Sequence, residues 1–326
     1  MLRTRVLTDP DAVSEMAAYV ARLEPELAKL PRTENVPVEA VRRARREGSG
    51  AFPAPVLSPT AESFEAPRRD GGTIALRVLR PAAGEARGAY LHLHGGGWVL
   101  GTNDEQDPRL QALADATGLV AVSVEYRLAP EHPFPAGPDD AEDAALWLVR
   151  EGAEALGVPA TFAIGGESAG GHLSALTLQR LRDGHGLTSF VAMNLVFGAF
   201  DIAQTPSQRL WGERRLILSG PLLDFFGECA LPGVDAVGRA DGSISPLHGG
   251  LEGLPPALLS IGTQDALLDD SLLMAQALDA AGGDAELHVL PGAFHGYTAF
   301  RDLRMVQAAE AAEHAFLAER IAAAGR

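Results

Sequence analysis

The chain has 326 residues, 46% of them apolar and 21% charged, and a formal net charge of −16. That is the composition of a folded globular protein with many turns, and the acidic surplus excludes partners that need a basic face, such as nucleic acid or an anionic membrane. One cysteine, Cys229, rules out an intrachain disulfide and reads as a free thiol in a loop or lid.

The N-terminal stretch MLRTRVLTDPDAVSEM lacks the apolar core of a signal peptide, and no run has the length of a bilayer span. The expectation is a cytoplasmic protein. Residues 10–30 predict a helix, with Asp9 as cap, Pro10 in the first turn, and Val13, Met16, Val20, Leu23, Leu27 and Leu30 as an apolar stripe. A second short helix, PVEAVRRARREG, follows, and Pro/Ser-rich chain leads on to residue 60. From about residue 72 the pattern changes to seven apolar runs of strand length: TIALRVLRP, AYLHLH, LVAVSVEYRL, TFAIGG, FVAMNLVFGAF, ALLSIGTQD and AELHVLPGA. Several are apolar nearly throughout, as parallel strands covered on both faces must be. Helix-length segments lie between the later runs, at 138–156, 170–183, 270–281 and 301–322. This alternation predicts a mostly parallel sheet with helices on both faces. Residues 203–248 break the rhythm and are too long for a crossover loop, so they predict a lid over the carboxyl edge of the sheet.

Within this frame, IGGESAGGHLSAL (164–176) places Ser168 between Gly166 and Gly170 where a strand becomes a helix. A serine hydroxyl needs a base to become a nucleophile, and Gly-x-Ser-x-Gly permits the strained turn that lifts the hydroxyl clear of the backbone. A glycine turn with a helix-capping serine would leave the same trace. The stretch LHLHGGGWVLG (91–101) adds three consecutive glycines at a strand end, which cost conformational entropy but aim backbone N–H groups into open space. Gly96 and Gly97, with the amide of Ala169, are the expected oxyanion hole for acyl transfer, and His94 is expected to orient the loop.

Nine histidines could supply the base. In this strand–elbow–helix arrangement the order is nucleophile, acid, histidine, which excludes His92, His94 and His132. His172 and His185 precede any late acid, His248 lies at the lid's edge, His288 lies inside a strand and His314 on the final helix. His295, in the loop after the last strand, is the expected base. Asp265, ending ALLSIGTQD, is the expected acid, with Asp201 at the end of the preceding strand as its rival. Asp269 and Asp270, a turn onward, are placed to cap or orient the next helix.

With these residues in hand, the chain resembles the hormone-sensitive-lipase-like branch of the α/β-hydrolase esterases. HGGGW at 94–98, YRLAPEHPFPA at 126–136, GESAGG at 166–171, DALLDD at 265–270 and HGY at 295–297 follow the family's order. The resemblance implies a mostly parallel eight-stranded sheet with helices on both faces and a helical cap. It divides the chain into N-terminal cap helices (1–55), a catalytic domain (56–202 and 249–326) and a cap insertion (203–248). It further implies a carboxylic-ester hydrolase without cofactor or metal, acting on small-molecule esters of short to medium acyl chains, without stable membrane association, as a possible homodimer. YRLAPEHPFPA becomes a brace beneath the glycine loop. Trp98, and Trp211, Leu222, Leu223, Phe225 and Phe226 of the insertion, are candidates to line an apolar substrate pocket, although such a stripe equally suits plain cap core. Two departures are Glu167 where the family often has Asp, and Ala266 where it often has Pro. A non-catalytic ligand receptor on the same scaffold, and a hydrolase of amides, lactones or acetylated sugars, are the alternative readings.

Overall fold

The computed structural model describes residues 1–325. Nine strands form one sheet: β1 (Arg3–Val6), β2 (Glu62–Pro67), β3 (Thr73–Leu79), β4 (Gly88–Leu93), β5 (Leu119–Val124), β6 (Phe162–Glu167), β7 (Phe190–Val196), β8 (Ala257–Gln264) and β9 (Ala285–Phe294). Their order is β1-β9-β8-β7-β6-β4-β5-β3-β2. β2 and β3 pair antiparallel, as do β3 and β5, and every other pairing is parallel. The sheet has one strand more than the eight expected. The extra edge strand, β1, is exposed along its whole length and pairs with β9, so nothing in its side chains marks it. Backbone pairing recruits it, joined by Arg3, which pairs with Asp284 and with Glu286 of β9.

The helices are α1 (Pro10–Lys29), α2 (Val38–Glu47), α3 (Asp107–Thr117), α4 (Ala136–Trp147), α5 (Ala153–Leu156) and α6 (Ala169–His185) in the first half. Beyond β7 come α7 (Pro206–Trp211), α8 (Gly220–Ala230), α9 (Ala236–Arg239), α10 (Leu268–Ala280) and α11 (Arg304–Ala324). None of the described helices is long and apolar enough to cross a membrane.

The central strands β4, β5 and β6 are buried throughout. Successive side chains of a strand point to opposite faces, so each central strand feeds two cores. Leu91, Leu93, Val120, Val122 and Ile164 pack with Ala141, Ala144 and Leu173 of α4 and α6. Tyr90, Leu119, Ala121 and Ala163 pack on the other face with Leu110 and Leu113 of α3 and Phe316 and Leu317 of α11. This two-sided burial explains why those runs are apolar without alternation.

Asp9 caps α1 by accepting from the N–H of Asp11 at 2.9 Å and of Ala12 at 3.2 Å. Ala12, Met16, Val20 and Leu27 form its buried stripe. α2 is tied to the loops that follow β4 and β5 by Arg42, which donates to the carbonyls of Val99 and Ala129 and pairs with Glu131. α7, α8 and α9 lie in the insertion between β7 and β8. Asp270, fully buried on α10, accepts from Phe200 N, Asp201 N, Thr205 Oγ1 and Gln208 Nε2, and so anchors the start of that insertion. Asp269 accepts from Ser207 N.

Candidate active site

Ser168 stands between β6 and α6 with φ 57° and ψ −117°, a conformation that L-residues avoid. The reason the sequence tolerates it lies in the flanking glycines. A Cβ on Gly166 or Gly170 would come within 2.0 or 1.8 Å of the Leu93 carbonyl oxygen, so only glycine lets the turn nest on the end of β4. Although Ser168 occupies the N-cap position of α6, its side chain makes no capping bond. The helix-capping reading of this serine is thereby overturned.

The hydroxyl meets another partner. Ser168 Oγ lies 2.9 Å from His295 Nε2. His295 Nδ1 lies 2.9 and 3.1 Å from the two carboxylate oxygens of Asp265. Leu267 N donates to Asp265 Oδ1 at 2.9 Å, which fixes the carboxylate. With an anionic acceptor at Nδ1, the imidazole carries its proton there and leaves Nε2 to accept from the serine. His295 and Asp265 are both buried, and the Phe197 ring packs 4.8 Å from the imidazole. Asp201 takes no part: its carboxylate meets His248 at 3.2 Å and accepts from Ala203 N. These groups come from the carboxyl ends of β6, β8 and β9, where the sheet order brings them together.

The glycine loop follows β4. Gly96 has φ +124°, outside the range open to other residues, and its carbonyl accepts from Val99 N and Leu100 N. Among the described residues, the N–H groups of Gly96, Gly97 and Ala169 donate to no acceptor. Tyr126 from YRLAPEHPFPA donates its hydroxyl to the His94 carbonyl at 2.7 Å, and the two rings stack at 4.2 Å. His94 Nδ1 bonds the Gly95 carbonyl at 2.9 Å, and burial pushes its pKa down to about 3, so it is a neutral hinge pin.

Glu167, the departure next to the nucleophile, joins a buried polar line that borders the cleft. It bonds His92 at 3.0 Å and Arg109, which in turn holds Glu313 at 2.6 Å. Burial opposes its charge, but His92 and Arg109 outweigh that and hold its pKa down to about 2. Neither Arg109 nor Glu313 carried any sequence signal, since their contacts span 58 and 204 positions. Phe197 was missed for a similar reason, being one apolar residue in a run of them.

A cavity of about 350 Å³ opens at Ser168 and His295, and α1 and α2 contribute Leu27, Val41 and Ala44 to its wall, with Leu30 just past the end of α1. Of the expected lining, Leu222 and Phe226 reach this cavity, while Trp98, Trp211 and Phe225 do not. Trp211 donates Nε1 to the Leu218 carbonyl at 3.1 Å and, like Phe225, packs against an apolar cluster of α8 with Val99, Leu100 and Leu267. Trp98 is turned by its positive φ of 62° so that Nε1 donates to His172 Nδ1 at 3.1 Å. It lines a smaller cavity that also touches Ser168. Among the described residues, no cluster of three or more His, Cys, Asp or Glu is arranged to hold a metal ion.

Comparison with known proteins agrees with this architecture. A family model described as alpha/beta hydrolase fold matches residues 90–299. Carboxylesterase NlhH of Mycobacterium tuberculosis is 37% identical over 213 residues, which are 64% of this chain and 66% of that protein. The match thus spans slightly less than two thirds of that relative's length. An ethyl acetate hydrolase of Pseudomonas putida is 32% identical over 87% of this chain and 91% of its own. Among solved structures, a hyperthermophilic esterase from the archaeon Pyrobaculum calidifontis superposes with TM-score 0.83 at 32% identity, covering 93% of this chain and 97% of that one.

Proposed function

The chain belongs to the hormone-sensitive-lipase-like branch of the alpha/beta hydrolase family, and from that membership we propose that it is a serine carboxylesterase. Ser168 Oγ attacks the carbonyl carbon of a small-molecule ester while His295 Nε2 takes the hydroxyl proton. The carbonyl oxygen becomes an oxyanion held by the N–H groups of Gly96, Gly97 and Ala169. The tetrahedral intermediate collapses, His295 returns the proton to the departing alcohol oxygen, and the acyl group stays on Ser168. Water then attacks the acyl-enzyme with His295 again as base, releasing the carboxylic acid and restoring the serine. Asp265 holds the imidazole tautomer and stabilises the imidazolium in both halves. His94 and Tyr126 position the glycine loop.

One observation carries this reading: the hydroxyl of Ser168 is unused as a helix cap and bonds His295, which bonds Asp265. The names of the relatives, carboxylesterase and ethyl acetate hydrolase, support an ester as substrate. Nothing in the site favours a receptor without catalysis, since a receptor has no use for a base oriented on a free hydroxyl. The test is hydrolysis of p-nitrophenyl esters, from acetate to long acyl chains, by wild type and Ser168→Ala. Turnover that disappears in the folded variant supports the reading, and turnover indifferent to Ser168 refutes it.

A further inference from the structure

The donors of the oxyanion hole come from two separate pieces of chain. Gly96 and Gly97 lie in the loop after β4, and Ala169 opens α6. All three have to meet one oxygen atom, so the two pieces must be held in register to fractions of an ångström. The loop half is a β-turn closed by Val99 N, which donates to the Gly96 carbonyl at 3.2 Å, and Leu100 N adds a bond of 2.8 Å to the same oxygen. In a trans peptide the N–H points away from the C=O. A Gly96 carbonyl fixed on that side therefore aims the Gly97 N–H the other way, where it meets no acceptor among the described residues. The turn has positive φ at both central residues, 61° at Gly97 and 62° at Trp98. Glycine takes that conformation freely, whereas tryptophan keeps it only under constraint from outside.

That constraint acts on the far end of the side chain. Trp98 Nε1 donates to His172 Nδ1 at 3.1 Å, and the two rings meet edge to face with centroids 5.1 Å apart. His172 is buried on α6 one turn beyond Ser168, and its backbone N–H donates to the Ser168 carbonyl at 3.1 Å. Its Nε2 lies 2.7 Å from the Ile244 carbonyl, which can only accept, so the ring proton sits on Nε2 and Nδ1 offers a lone pair. The indole, which can only donate, demands the same tautomer from the other side. His172 lines neither of the cavities at Ser168, so whatever it does for the reaction it does through Trp98. From this geometry we propose that His172 is a positioning residue for ester cleavage. By holding the indole of Trp98 it locks the loop half of the oxyanion hole onto the helix that carries Ser168 and Ala169. Ile244 belongs to the insertion between β7 and β8, so the cap fixes the tautomer on which the lock depends. With the acceptor removed, the indole N–H has to turn toward water, and the turn that carries it opens. This role rests on the serine-esterase reading and adds to it a residue beyond the triad and the glycine loop.

The experiment measures kcat and KM for p-nitrophenyl acetate in wild type, His172→Leu, Trp98→Phe, the double variant and His172→Asn, with Ser168→Ala as blank and thermal melting as the check on folding. Leucine fills the space of the imidazole without an acceptor, and phenylalanine keeps an aromatic ring without a donor. Displacing a donor by about 1 Å costs about 10²-fold, so each single variant should lose about that much in kcat. KM should stay within about 2-fold, because the oxyanion forms only on the way through the transition state. The double variant should lose no more than either single one, since both remove the same bond. Asparagine sets a carbonyl oxygen near the place of Nδ1, so His172→Asn should regain at least about 10-fold over His172→Leu. Losses in kcat under about 3-fold, or losses that multiply in the double variant, overturn the proposal and leave the bond as packing alone. Should one single variant not fold, the kcat and KM of the other decide. Ser168-dependent turnover that ignores both ends of the bond refutes the positioning role alone, whereas its absence in wild type for every ester refutes the esterase reading itself.

Discussion

Replacing Asp265 with asparagine isolates what the carboxylate contributes. Asp265 Oδ1 accepts from Leu267 N at 2.9 Å, so the one oxygen that the Asp265→Asn variant retains must stay there. The new NH₂ group then occupies the place of Oδ2, which now lies 2.9 Å from His295 Nδ1. Two donors cannot face each other, so the imidazole moves its proton to Nε2. That nitrogen lies 2.9 Å from Ser168 Oγ and would present a hydrogen where the serine proton must go. The site loses its base while keeping its shape. A wrong tautomer of this kind costs about 10⁴-fold in kcat, or about 5 kcal/mol of transition-state stabilisation. KM should move little, because neither cavity changes. The assay is p-nitrophenyl acetate turnover, with circular dichroism and thermal melting to show that the fold is intact. Asp201→Asn serves as comparison, since its carboxylate pairs with His248 instead. It should lose less than about 10-fold. A folded Asp265→Asn variant within about 10-fold of wild type, or an Asp201→Asn variant as damaged as Asp265→Asn, would refute the argument.

Further outcomes follow from the surroundings of the site. Glu167→Gln leaves Arg109 buried against Glu313 with half its charge compensation gone, and should cost about 3 kcal/mol of stability in urea denaturation; a loss under about 1 kcal/mol would mean the buried line is not a charge network. His172, held neutral by burial with a pKa of about 4 against an ordinary 6.5, contributes stability that is complete above pH 6.5 and lost as the pH falls toward 4. His172→Gln should therefore flatten the decline of melting temperature with acidity by about one proton between those values, and an unchanged slope would refute the assignment. Gly170→Ala would drive a Cβ to 1.8 Å from the Leu93 oxygen and should cost about 3 kcal/mol or more. Gly184→Ala, in the same helix with nothing within 4 Å, should instead stabilise by about 0.5–1 kcal/mol. Equal melting temperatures for that pair would show that backbone contact is not what selects glycine at the elbow.

Much of this protein is written locally. The runs of β4, β5 and β6 are apolar nearly throughout because a strand buried on both faces has no solvent side on which to place polar residues, and that constraint is visible residue by residue. The glycines at 96, 166 and 170 are legible because a forbidden φ or a backbone approach under 3 Å leaves no other choice. The order of serine, aspartate and histidine along the chain narrowed nine histidines to His295. Other features had no local trace. Asp201 and Asp265 both end strands, and only the packing of β7 between β6 and β8 decides which carboxylate faces the imidazole. β1 joins the sheet through backbone pairing, to which its exposed side chains give no clue. Trp98, Trp211 and Phe225 looked like lining of one pocket, yet a backbone angle and an indole hydrogen bond turn Trp98 to the smaller cavity beside Ser168, and a second indole bond holds Trp211 away from both cavities. Glu167 meets its arginine and Arg109 its second glutamate across 58 and 204 residues. The sequence by itself determined which backbone conformations and which buried faces the chain must adopt, because sterics and solvent act on each residue where it stands. Which side chains then meet, and how much space they leave around Ser168, was decided only when distant segments packed, because contact between them depends on the whole sheet and its cap.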